Sequence, residues 1–224
     1  MVKNTVFFVC LVFLCALFGC ASPSVKLSKE KIPTLGRVGV LSVYEAKGPT
    51  PGLLDLVYLD KDIANLYKAL GEADIASEIM ERVTPRLRPL FGDPVRVSEN
   101  EPEVVNITES GGYRVIGKKF NNKYFRIEKL DYSSLGRRLG IDTLITLVTT
   151  DYTWLQGTGP AGSYSYSIFL RLTTEAKMIR ISSGEILWQR TAKGQAERVE
   201  GDDVKEASFS QIASIVTELV ADLR

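Results

Sequence analysis

Cys20 is the residue whose type and place most directly promise chemistry. Its thiol is a nucleophile and an acyl acceptor, and it closes the run Leu17-Phe18-Gly19-Cys20, directly after a small residue. Upstream stand Lys3 and an unbroken apolar stretch from Val6 to Phe18. That order of positive charge, short apolar run and small-residue cleavage site predicts a secretory leader, too short to span a bilayer comfortably.

The four residues ending at Cys20 resemble the bacterial lipobox, whose cysteine receives a diacylglycerol and becomes the new amino terminus. The resemblance implies a leader over residues 1–19, lipidation of Cys20 and a lipid-tethered protein. Ala21 and Ser22 lack the aspartate that retains such proteins in the inner membrane of enteric bacteria. The expectation is therefore an outer-membrane anchor with the domain facing the periplasm.

Composition narrows the remaining chemistry. Cys10, Cys15 and Cys20 are the only cysteines, and the chain has no histidine. Once the leader is removed and Cys20 acylated, no thiol is left for catalysis or a disulfide. Without His, the commonest general base and metal ligand are both missing, so zinc, copper and haem sites are not expected. No cofactor is expected. Lys and Arg number 28 and Asp and Glu 27, and setting Lys3 aside makes them equal. Such a balance gives no electrostatic reason to bind nucleic acid or anionic lipid.

Two other patterns invite a chemical reading. Gly157-Thr158-Gly159-Pro160-Ala161-Gly162 is a literal G-x-G-x-x-G. A dinucleotide loop needs a helix amino terminus after the glycines, and here an alternating strand pattern follows, so the motif reads as a hairpin tip. Tyr152 and Trp154 enter that tip and Tyr164 and Tyr166 leave it. Cross-strand pairing accounts for such aromatics structurally, and aromatics at a tip also suit contact with a protein partner or a membrane interface. These four are the candidate binding residues. Ser28-x-x-Lys31 matches a penicillin-binding-enzyme motif without its partners, and Glu99, Glu101 and Glu103 lack the ligand spacing of a calcium loop.

The elements that must position these residues follow from periodicity. Residues 20–35 read as a lipidated tether, its polar part flexible, and order is expected from Gly36 onward, giving one periplasmic domain over 36–224. Val38 to Val43 is apolar on both faces and predicts a covered strand. Ile63, Leu66, Tyr67 and Leu70, then Ile75, Ile79, Val83 and Leu87, keep helical spacing, with Pro85 expected to kink or end the second helix. Residues 99–127 read as an irregular insertion with one or two small hairpins, Gly111-Gly112 and Asn121-Asn122 serving as turns. Asp131 is placed to cap a helix that ends at Gly140, before a second buried strand at Leu144 to Val148. Tyr164 to Leu172 alternates as a long strand, Ser182-Ser183-Gly184 turns it back, and Phe209 to Leu223 forms an amphipathic helix. The fold class is α/β, in the α+β sense of a central mixed sheet flanked by helices.

Three segments resemble, in order, a group of bacterial envelope proteins sharing an anticodon-binding-like α/β domain. They are Arg37-Val38-Gly39-Val40-Leu41, Leu135 to Ile145 with its helix–glycine–strand step, and Ile181-Ser182-Ser183-Gly184-Glu185-Ile186-Leu187-Trp188. The group includes the curli secretion lipoprotein, the lipoprotein activator of penicillin-binding proteins and the amino-terminal domain of TolB. The resemblance implies a non-enzymatic module that works by binding an envelope protein or by joining copies of itself. The reading is thus a membrane-anchored assembly module. The alternative is an oligomeric ring or pore subunit of an outer-membrane secretion system, for which the alternation from Tyr164 to Leu172 suits a barrel strand.

Overall fold

The computed structural model describes residues 24–45, 60–115, 118–158, 165–200 and 203–224. Strands β1 (Val38–Glu45), β2 (Val95–Val97), β5 (Thr143–Thr158), β6 (Ser165–Arg180), β7 (Ile186–Lys193) and β8 (Glu197–Val199) form one open sheet. Its order is β2-β1-β5-β6-β7, with β8 on β6 beyond the end of β7. β1 lies parallel to β2 and β5, while β5, β6 and β7 run antiparallel, so the sheet is mixed as expected.

One face of the sheet is covered by helices α1 (Asp60–Glu72), α2 (Ile75–Phe91) and α4 (Val204–Asp222). Val40, Ile145, Leu147, Leu170, Met178 and Trp188 meet Leu70, Ile79, Val83, Ile212 and Leu219 there in a continuous apolar cluster. Of the residues that helical spacing picked out, Leu66, Leu70, Ile75, Ile79, Val83, Leu87, Ile212, Leu219 and Leu223 are buried, Phe209 is partly buried, and the side chains of Ile63 and Tyr67 lie outside the described residues. On the other face a smaller cluster joins Leu41, Val43, Val97, Val104, Ile141 and Leu144 to Leu135 of α3 (Tyr132–Leu139). β1 is buried on both sides because each face has its own cover.

Local chemistry sets the boundaries. Asp131 caps α3, its carboxylate accepting from Ser134 N at 3.1 Å, and Gly140 ends it at φ 63°. That left-handed cap is open to glycine at no steric cost. Asp74, at φ 45°, caps α2 through Ser77 N. Gly184, at φ 70°, turns β6 into β7.

Of the two outcomes expected at Pro85, a kink or an end, the structure excludes the end, since α2 runs on through Pro85 and Pro89 to Phe91. Two expectations need correction. The insertion is not irregular: β3 (Val104–Val115) and β4 (Lys118–Leu130) form one long antiparallel hairpin with a bulge at Val105/Asn106. Gly111 and Gly112 pair in register with Asn122 and Asn121, so the two supposed turns face each other across the hairpin. The tether is also shorter than its polar composition suggests. Val25 pairs with Gln189 on the outer edge of β7, Lys29–Thr34 forms a 3-10 helix, and Leu35 is buried.

Candidate functional site

Among the described residues, β5 and β6 outrun the strands beside them: β1 pairs with β5 as far as Glu45↔Thr150, and β7 reaches β6 from Thr173 onward. The two strands continue together from Asp151↔Leu172 to Thr158↔Ser165, with β8 supporting β6 at Ile168–Leu170. On this hairpin Tyr152 stands opposite Arg171, and Trp154 opposite Phe169.

These four side chains form a ladder. The rings of Tyr152 and Trp154 are 5.4 Å apart and tilted by 39°. Trp154 stacks on Phe169 at 5.4 Å and 14°. The Arg171 guanidinium carbon lies 5.4 Å from the centroid of Tyr152 and 5.8 Å from that of Trp154. A cation held over two electron-rich faces gains about 0.5–1 kcal/mol per contact near the surface. Arg171 Nε is buried there and makes no hydrogen bond. Tyr152 is 43% exposed, one of three large apolar side chains so exposed among the described residues, and none of the three rings belongs to either core cluster.

The opposite face of the same strands is packed against the domain. Asp151 and Thr153 are buried, and the Tyr44 hydroxyl lies 3.2 Å from Asp151 Oδ1. Between the last residue paired with β8 and the first paired with β7, the backbone of β6 is completed by α4. Leu172 N donates to Gln211 Oε1 at 2.7 Å, and Gln211 Nε2 donates to Leu170 O at 3.1 Å. Gly194 N donates to Leu172 O at 2.9 Å. A side chain on Gly194 would overlap Gln211, its Cβ falling 2.4 Å from Oε1.

Of the candidate residues, Tyr152 and Trp154 are brought together. Tyr166 pairs with Gly157, in the alternate series of Ile168 and Leu170 and not that of Phe169 and Arg171. Tyr164 and Cys20 lie outside the described residues. Phe169 and Arg171 were missed as site residues. The signal was present, since Phe169 is the one large apolar residue in the otherwise polar series Ser165, Ser167, Arg171 and Thr173. Gly157 and Thr158 of the Gly-rich motif end β5, paired with Tyr166 and Ser165 of β6, and the rest of the motif lies outside the described residues.

The acidic run before β3 is an ion-pair anchor. Arg138 of α3 makes a bidentate contact with Glu103, at 2.8 and 2.7 Å, and also binds Glu101. Hydrogen bonding from Arg138 holds the Glu103 carboxyl below its usual range and pushes the Arg138 pKa up. Glu99 is raised instead, by burial and then by nearby Asp74. Among the described residues no group of three or more Cys, Asp or Glu is placed to share a metal ion, and no helix is long and apolar enough to cross a membrane.

No family model matches the chain, and no curated protein matches it. Solved structures with a similar arrangement include the PelC dodecamer from Paraburkholderia phytofirmans, at 11% identity and TM-score 0.35, over 81% of this chain and 86% of that one. Lipoprotein GNA1162 from Neisseria meningitidis matches at 12% identity and TM-score 0.35, over 83% of this chain and 98% of its own. A neuraminyllactose-binding hemagglutinin homolog from Helicobacter pylori matches at 7% identity and TM-score 0.37, over 92% and 90%. At such identities and scores these likenesses carry no functional inference.

Proposed function

We propose that this chain is an envelope lipoprotein, anchored through Cys20, whose periplasmic domain joins further copies of itself into a ring. The observation that carries this reading is the overrunning β5–β6 hairpin with its Tyr152–Trp154–Phe169–Arg171 ladder. It presents aromatic and arginine side chains, the residue types that dominate interface energetics, outside both cores. A ring needs a heterologous contact, in which this face meets a different surface of the next copy. The reading is non-enzymatic and requires no cofactor.

The pore form of the assembly is less well supported by the second hairpin. A lipid-facing strand alternates apolar and polar residues over about ten positions. In β3 the two alternate series carry Arg114 and Glu109, and in β4 they carry Lys118, Arg126 and Glu128 against Lys119, Lys123 and Lys129. Neither strand offers a continuous apolar series, so the proposed ring is a periplasmic one.

The test is in-cell photocrosslinking from a benzophenone amino acid at Tyr152. A ladder of products at multiples of the subunit mass supports self-assembly. Capture of one distinct envelope protein, with no self-product, would replace the ring by an adaptor.

A further inference from the structure

Resting on the lipid-anchor reading of Cys20 alone, we propose that the β7 edge, with the docked residues 25–35, is the surface the domain lays against the membrane. The occupant is the headgroup layer of the leaflet that holds the anchor. The argument begins with how tightly the chain is tied down after its anchor. Val25 N donates to Gln189 O at 3.0 Å, and Gln189 N returns a bond to Val25 O at 2.9 Å. Leu27 packs on the main core, and Lys31 Nζ pairs with Glu185 at 2.9 Å. Arg180 donates to Thr34 O at 3.3 Å, and Thr143 Oγ1 donates to Leu35 O at 2.6 Å. From Val25 onward the segment belongs to the domain.

The leash therefore runs only from Cys20 to Val25, five residue steps. Fully extended, it spans at most about 18 Å. A domain of this length has a diameter of roughly 40 Å. A leash under half that length excludes every orientation in which the β7 edge points away from the bilayer.

The side chains on that edge fit the same surface. Val25 and Ile186, 39% and 43% exposed, are two of the three large exposed apolar side chains among the described residues. Both lie on or beside β7. Lys26 and Lys29 are exposed in the same docked segment, against one exposed acid there, Glu30, and the acidic Glu185 is engaged by Lys31 and Arg180. Apolar side chains flanked by exposed lysines suit the headgroup boundary. Four strand spacings away, about 19 Å, β2 forms the opposite edge of the sheet, and the β3–β4 hairpin follows it in the chain. The geometry turns that edge toward the periplasm.

The test exploits the cysteine content. Beyond the leader, Cys20 is the only cysteine, so one introduced thiol gives a unique label once Cys20 is acylated. Full-length Ile186→Cys, Lys26→Cys and, as the distal control, Arg96→Cys of β2 carry an environment-sensitive fluorophore. They are reconstituted into phosphatidylethanolamine–phosphatidylglycerol vesicles containing a headgroup quencher lipid. Labels at 186 and 26 should be quenched several-fold more than the label at 96. Equal quenching at all three sites, or stronger quenching at 96, on protein that floats with the vesicles would overturn the orientation. Failure of the unlabelled wild type to float would instead bring down the anchor reading on which the orientation depends.

Discussion

Gln211 and Leu172 are joined across the core in a way that makes a helix side chain complete a strand. Leu172 N donates to Gln211 Oε1 at 2.7 Å in the gap between the stretch of β6 paired with β7 and the stretch paired with β8. Both groups are buried. The neighbouring residue, Arg171, stands on the other face beneath Tyr152 and Trp154. The helix therefore holds, through one side chain, the backbone that carries the proposed contact face.

Replacing Gln211 by Ala should be costly. It leaves Leu172 N and one acceptor position of Leu170 O without their side-chain partner, at about 1–3 kcal/mol for each unsatisfied group. Urea unfolding of Gln211→Ala should show a lower midpoint with an unchanged slope. Gly194→Ala should act on the same joint, since its Cβ falls 2.4 Å from Gln211 Oε1.

Gly36→Ala should fail for a different reason. Gly36 has φ 63°, and an added Cβ would lie 2.2 Å from Asp142 Oδ2, the oxygen that accepts from Arg37 N. The left-handed backbone alone costs roughly 1–2 kcal/mol for a residue with a side chain. The expected result is a clear loss of thermal stability, whereas Gly71→Ala, at a helical glycine whose Cβ position is open, should not destabilise.

Acid should loosen the tether and the β3–β4 anchor together. The Lys31 hydrogen bond holds the Glu185 carboxyl below the ordinary glutamate range, and the Arg138 hydrogen bond does the same for Glu103. A carboxyl lowered in the folded state contributes stability that is full above its unfolded pKa and lost as pH falls through the folded one. Hydrogen exchange at Val25 and at Val104 should therefore be unchanged between pH 7 and 5. It should rise, after correction for intrinsic rates, only below about pH 4.5.

Much of the fold was legible because its punctuation is local. Asp131, Gly140 and Gly184 each set a boundary within a few residues of themselves, and the helical stripes at Ile75–Leu87 and Ile212–Leu219 met the core as their spacing required. What escaped depends on distant partners. Gly111 and Asn122 have turn chemistry, yet cross-strand pairing uses both inside a ladder. Val25 joins an edge strand through a partner far along the chain, and nothing in its polar neighbourhood signals that. Pro85 was read by local cost alone, whereas α2 packs on β1 and α4 along its length and continues past the proline. The aromatic ladder was half visible: aromatics marked Tyr152 and Trp154, and Phe169 stood out in its polar series, but the strand register is what sets Phe169 and Arg171 opposite them.

Arginine at 171 should be needed for its shape as well as its charge. A guanidinium is planar and stacks on rings, whereas an ammonium is a compact point charge. Arg171→Lys should therefore weaken assembly nearly as much as Arg171→Ala, with thermal unfolding of the subunit little changed. Full function in the lysine variant, measured by crosslinking yield from position 152, would count against the ladder as the contact.

The most direct measurement is native mass spectrometry of the full-length protein released from membranes in mild detergent, beside Tyr152→Ala/Arg171→Glu. The ring account predicts one closed oligomer of fixed subunit number for the wild type and folded monomers for the double variant. A monomeric wild type, or a variant that keeps the wild-type oligomer, would contradict it.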